Sequence, residues 1–178
     1  MYKTIPTYKK GKWETTNFET IDDFKRFLVT LFKEPGQYQF DETALLFNEE
    51  ANRFNRNGFY CDKPFRSKDF NTYWEDQKKK CRDGVIYIGK SNTWYLTRDY
   101  YMWLNFLPIF DKEEKKYGFA KIRDAQYHMA LYEILAEVHH KHVAILKKRQ
   151  IASSYFHMGK IINQFWFEEG SICKIGAS

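Results

Sequence analysis

The chain has 178 residues and carries 29 Lys and Arg against 23 Asp and Glu, a net charge of +6. Hydrophobic residues at 43% and aromatics at 19% supply enough apolar surface for a packed core, which excludes a disordered chain. Mean hydropathy is −0.68 and no apolar run approaches the ~20 residues of a spanning helix, which excludes a transmembrane helix; no membrane partner is expected. The charge is compatible with a polyanion partner without requiring one. Met1 to Asn17 contain no apolar stretch of the kind a secretory signal needs. The three cysteines, Cys61, Cys81 and Cys173, are an odd number that suits reduced thiols in a cytoplasm.

Residues 1–19 read as an irregular, basic and aromatic lead-in. Thr20 followed by Asp23 is a capping box, and Phe24, Phe27, Leu28, Leu31 and Phe32 form an apolar stripe, so a helix is expected over Ile21 to Lys33. Pro35-Gly36 breaks the chain. Asp41 is the expected cap of a second helix through Arg56, stopped by Asn57-Gly58. Ser67 is the expected cap of a third, Lys68 to Arg82, whose basic end (Lys78, Lys79, Lys80, Arg82) complements a helix dipole. A hairpin should follow, with strands at Gly84–Gly89 and Thr93–Leu96 joined through Lys90-Ser91-Asn92. Thr97 is placed to cap a short helix from Arg98 to Phe106.

Asp111 to Gly118 is charged and reads as an exposed loop and a domain boundary, dividing residues 1–110 from 119–178. A long helix is expected from Asp124 to His140. His142 to Lys147 holds four consecutive apolar residues and suits a buried parallel strand. After a basic loop, Ser153 to Glu168 reads as a helix, and Ser171 to Gly176 as a second strand. Strand, loop, helix and strand make one βαβ unit. His139, His140 and His142 with Cys61 and Cys81 lack the close pairs of a zinc site and suit a helix end instead. Trp94 to Phe106 suits hydrophobic packing better than stacking on a single strand of nucleic acid.

The informative stretch is the loop between the first of these strands and its helix. A phosphate-binding loop runs G-x-x-x-x-G-K-S/T, with backbone N–H groups and a helix N-terminus aimed at phosphates, a Lys adding charge and a hydroxyl holding Mg²⁺. The equivalent residues here are Lys147, Lys148, Arg149, Gln150, Ile151, Ala152, Ser153 and Ser154. Ser154 falls on the hydroxyl position, whereas Lys147, Ala152 and Ser153 stand where the first Gly, the second Gly and the Lys belong. Lys147, Lys148 and Arg149 can supply the cation from the start of the loop instead, each charge-assisted bond contributing about 1.5–3 kcal/mol. The same residues also suit a basic connection that holds no ligand. Upstream, the Gln126 amide offers a donor and an acceptor and so can read an adenine edge, though it also suits an ordinary solvated position.

In this order, Arg123-Asp-x-Gln126, a helix, an apolar strand and Arg149-Gln-Ile-Ala-x-Ser154 resemble the ATPase domain of large terminase subunits, the DNA-packaging motors of tailed bacteriophages. Their deviant phosphate loops commonly read Arg-Gln-Leu-Gly-Lys-Ser/Thr, or Lys-x-Arg-x-x-Gly-x-Ser in a divergent branch. Lys147, Arg149 and Ser154 match the second form. Tyr95 to Ile109 is similar to an N-terminal segment of that branch, where an aromatic pair precedes Leu-Asn-Phe, and the resemblance spans roughly residues 58–178.

The resemblance implies an α/β chain: an irregular α+β N-terminal region, then the opening βαβ of a P-loop NTPase sheet, an incomplete ATPase core. It implies ATP and Mg²⁺ as cofactors, with Gln126 at the adenine, Lys147, Lys148, Arg149, Gln150, Ala152 and Ser153 around the phosphates, and Ser154 on the metal. Double-stranded DNA, the portal and the small terminase subunit are the implied partners, and the host cytoplasm the implied location. Ala152 departs from the family's Gly, and the acidic Walker B residues of the family come after the position of Ser178. The expectation is therefore an N-terminal portion that binds ATP, drives DNA into a prohead when complete, and is inactive as an ATPase alone. The rival expectation is a non-enzymatic nucleic-acid or protein-interaction module with a degenerate phosphate loop.

Overall fold

The computed structural model of the protein describes residues 1–34, 36–111, 115–146 and 153–172. The chain opens on two strands, β1 (Lys3–Lys9) and β2 (Lys12–Phe18), followed by helix α1 (Ile21–Leu31) and a 3-10 helix (Glu42–Leu46). Helices α2 (Glu49–Asn57) and α3 (Lys68–Asp83) lead into the hairpin β3 (Val85–Ile88) and β4 (Thr93–Leu96). Then come α4 (Arg98–Phe106), a second hairpin β5 (Pro108–Asp111) and β6 (Lys116–Phe119), α5 (Asp124–Val138) and α6 (Ser153–Phe167). The protein is mixed α and β, with a four-stranded mixed sheet in the order β2-β1-β3-β4. Within it β1 and β3 run parallel and the outer pairs antiparallel.

Local signals set most helix starts. The Thr20 hydroxyl accepts from the Asp23 N–H and the Asp23 carboxylate accepts from the Thr20 N–H, closing the expected capping box. The Ser67 and Thr97 hydroxyls each accept one N–H, from Phe70 and Tyr100, at the starts of α3 and α4, and Gly58 ends α2 in a left-handed conformation.

Three expectations are corrected. The N-terminal segment is a regular hairpin, turned at Lys10-Gly11, whose φ values of 48° and 81° match a two-residue hairpin turn. Pro6 disguises β1, but pairing with β3 begins one residue later, at Thr7. The charged stretch after Phe110 joins two paired strands, because Ile109 and Phe110 meet Gly118 and Tyr117 across it. The helix expected over 41–56 is split: Asp41 caps a 3-10 turn, and the break at Phe47-Asn48 lets Phe47 bury itself between Tyr87 and Trp94, with ring centroids at 5.0 and 5.9 Å.

One hydrophobic cluster runs from Ile5 on β1 through α1, the sheet and α4 to Tyr127 on α5 and Phe156 on α6. Register places Thr7, Ile86 and Tyr95 on one face of the sheet and Tyr8, Tyr87 and Trp94 on the other. Phe24 of α1 meets Tyr95 edge-on at 5.8 Å on the first face. At the outer edge of β4, the Tyr127 hydroxyl accepts from the Tyr95 N–H at 3.1 Å, so α5 blocks further strand addition there.

Helix α4 lies at the centre, with Asp99 through Asn105 all buried. Its Asn105 caps a different helix. Asn48, the N-cap of α2, makes no side-chain cap bond. The Asn105 Oδ1 instead accepts from the N–H groups of Glu50 at 3.1 Å and Ala51 at 3.4 Å, while its Nδ2 donates to Phe47 O and Tyr101 O. Asn105→Leu keeps the volume and strands two buried N–H donors. The expected loss is about 2–4 kcal/mol of unfolding free energy by urea titration, against under about 0.5 for Asn48→Ala. Equal losses from the two would show that α2 is capped locally.

Candidate functional site at the start of helix α6

Helix α6 starts at Ser153, where the loop-then-helix pattern places it. Ser154 is exposed in its first turn; Ser153 is buried and its hydroxyl lies 3.2 Å from His157 Nδ1. Lys147, Lys148, Arg149, Gln150 and Ala152 lie outside the described residues, as does most of the second expected strand. Gln126 is on the first turn of α5 and is 2% exposed, so its amide is not open to a base edge in this arrangement.

The strand expected over His142 to Lys147 is not formed at residues 142–146, which pair with no strand and are largely exposed. An apolar run becomes a buried strand only where a sheet edge is free to receive it. The β4 edge is occupied by Tyr127, and Ile145 and Leu146 are left facing outward.

Helix α6 is held by its middle. Gly159 lies against α4: a Cβ there would meet Leu107 Cδ1 at 2.7 Å and Trp103 Cε3 at 3.4 Å. A side chain here would have to displace the Leu107 side chain, so glycine suits the close approach of α6 to the end of α4. Four residues on, the buried Asn163 donates to Cys81 O at 3.0 Å and Asp99 Oδ1 at 2.9 Å.

Between α5 and α6 lies a cleft of about 450 Å³, whose charged and titratable lining is Glu133, Glu137, Lys141, His142, His157 and Lys160. Glu133 is its centre. Its Oε1 is 2.8 Å from His157 Nε2 and its Oε2 accepts from Lys160 Nζ at 2.9 Å. Burial works against this carboxylate, but the bonds from His157 and Lys160 outweigh it and hold its pKa below the usual range. Ser153, His157 and Glu133 form a serine–histidine–carboxylate chain, yet the ring cannot act as a base toward Ser153. His157 Nδ1 also lies 2.7 Å from the Ser153 carbonyl oxygen, and a carbonyl only accepts, so that nitrogen already carries its proton.

No family model, curated protein or solved structure matches the chain. Among the described residues no three His, Cys, Asp or Glu side chains are grouped to hold a metal ion, and no helix is long and apolar enough to cross a membrane. Cys81 is buried, which pushes its thiol up to about 12 and makes it a poor nucleophile.

Spacing alone did not reveal the Glu133, His157 and Lys160 cluster. The available signal was a lone acid among the apolar positions of α5, with His157 and Lys160 three residues apart on one face of α6. A second charged tie closes the other end of the helix pair. Arg98 of α4 donates from Nη2 to both oxygens of Glu137 at 3.2 Å, pairs with Glu168 through Nη1, and lies 3.7 Å from Asp99. Removing it leaves three carboxylates without their common cation. Arg98→Ala is expected to lower stability by about 3 kcal/mol at pH 7, with Arg98→Lys recovering part. The deficit should narrow on acidification, because burial raises the pKa of Asp99 and its protonation removes one of the charges that Arg98 offsets. A deficit under about 1 kcal/mol in thermal unfolding at pH 7 would show the tie to be a surface pair.

Proposed function

We propose that the chain binds a nucleoside triphosphate at the start of α6, as the N-terminal part of a DNA-packaging motor ATPase of the large-terminase kind. The observation that carries this is the order of parts over residues 143–167: an apolar run and a basic stretch in the sequence, then a 15-residue helix beginning at Ser153 with Ser154 exposed in its first turn. A helix N-terminus offers unbonded N–H groups and partial positive charge, the environment a phosphate needs. Lys147, Lys148 and Arg149 come just before it in sequence and add full charges. The exposed Ile145 and Leu146 also support the reading, since a strand within a further sheet would bury them.

In this proposal Lys147 and Arg149 meet the phosphates, Lys148, Gln150 and Ala152 accompany them in sequence, Ser153 opens the helix whose N–H groups meet the phosphates, and the Ser154 hydroxyl holds the Mg²⁺ that accompanies ATP. The adenine contact implied for Gln126 requires the first turn of α5 to open, because that amide is buried. The proposal therefore rests on the phosphate end. Duplex DNA, the portal and the small terminase subunit are the partners that go with it.

Calorimetric titration with Mg²⁺-ATP tests it. Saturable binding is expected, weakened about tenfold or more by Lys147→Ala and by Arg149→Ala. Lys10→Ala, on the turn of the first hairpin, should leave it unchanged. Gln126→Ala is a poor probe because it also empties a buried position. Absence of saturable binding, or equal weakening by Lys10→Ala, would overturn the proposal.

A further inference from the structure

His157 faces α5 from the second turn of α6. Its Nε2 lies 2.8 Å from Glu133 Oε1 and its Nδ1 lies 2.7 Å from the backbone oxygen of Ser153. The carbonyl can only accept, so Nδ1 carries a proton. Glu133 also accepts from the Lys160 ammonium at 2.9 Å, and with its pKa held low it is ionised at neutral pH. An ionised carboxylate can only accept, so Nε2 carries a proton as well. Both ring nitrogens are donors in one form of the side chain, the imidazolium.

We infer that protonated His157 is a latch that fastens the start of α6 to α5, and that loss of one proton from His157 releases it. In the neutral ring one nitrogen presents a lone pair to an oxygen at 2.7 or 2.8 Å, and the contact turns repulsive. The position needs its acidic partner, because a cation near a helix N-terminus is disfavoured by the helix dipole.

The surrounding charges are few. From α5, Glu133 and Glu137 line the cleft; from the segment after α5, Lys141 and His142; from α6 itself, Lys160. Helix α4 presents rings to the neighbouring Phe156, those of Tyr100 and Trp103, and its Asp99 is engaged by Asn163 and Arg98. The Glu133 bond raises the pKa of His157 above its ordinary 6.5; burial opposes this and the Ser153 oxygen assists. A group with a raised folded value contributes fully below the unfolded value and loses that contribution as pH rises through the folded one. The latch is thus closed below pH 6.5 and opens on the alkaline side of it. Every atom in it belongs to α5 or α6, so it stands whether or not a nucleotide binds nearby.

The test is a pH titration of the full chain by nitrogen-detected NMR of the histidine rings, assigned through His157→Gln because His142 lines the same cleft. Imidazolium shifts at both nitrogens of His157 are expected at pH 6.5, with a midpoint above that value. Glu133→Gln should move the midpoint down by about one unit or more, a tenfold loss of proton affinity. Lys160→Met, which removes the opposing cation and keeps Glu133, should move it up and serves if Glu133→Gln fails to fold. Between pH 6.5 and 8.5 the wild-type Tm should fall by about 2–4 °C more than that of His157→Gln. A His157 midpoint at or below 6.5, or one unmoved by either neighbouring substitution, would overturn the latch.

Discussion

A nine-residue helix with no solvent face is the constraint on which this fold turns. Seven consecutive residues of α4, Asp99 to Asn105, are buried, so the polar side chains among them depend on partners inside the protein, and apart from the Trp103 indole N–H they find them. Asp99 meets Asn163 of α6. The Tyr100 hydroxyl accepts from the Arg123 N–H ahead of α5, and the Tyr101 hydroxyl donates to Gln77 of α3 at 2.6 Å. Asn105 caps α2. Four neighbouring elements are thus fixed around one helix by bonds whose loss costs about 1–3 kcal/mol each, in a protein whose total stability is expected to be only about 5–15.

The same logic extends outward from α4. Gln77 also donates to Glu50, whose carboxylate accepts from Tyr73 and pairs with Arg53 at 3.0 Å. Burial raises the pKa of Glu50 despite those donors, as expected for an acid placed between packed helices. At the far side, Asp124 accepts from the N–H groups of Gly36 at 2.7 Å and Tyr38 at 3.1 Å, which fastens the chain after α1 to the start of α5. Helix α6 is therefore backed by a packed and hydrogen-bonded frame: its middle is seated by Gly159 and Asn163, and its flank is tied to α5 by Glu133. A phosphate-binding helix N-terminus needs such an anchor, because its N–H groups must be aimed before the ligand arrives.

What the sequence made legible was local. Thr20, Ser67 and Thr97 each accept from a backbone N–H within three residues, so side chain and backbone alone decide those helix starts. The β3–β4 hairpin was equally plain from its β-branched and aromatic runs. The first hairpin was hidden by Pro6, whose cost depends on which strand lies beside it, and the second by the charges that connect its strands. The break in the 41–57 segment is set by a pocket for Phe47 built from residues some forty positions later. Residues 142–146 look like a buried strand by composition, yet burial depends on a free sheet edge, which no window of sequence can display. For the candidate site, the position of α6 was legible, but the burial of Gln126 and the Glu133 cluster arise from packing between helices.

The central functional claim is that phosphate binds at the start of α6. Amide-resolved NMR of the chain during titration with Mg²⁺-ATP tests it most directly. The account predicts saturable shifts at the amides of Ser153, Ser154 and Tyr155, with the β1–β2 hairpin unmoved. Shifts confined to another region, such as the apolar cleft of about 480 Å³ lined by Trp74, Phe106 and Trp166, would contradict it. So would a spectrum that does not change.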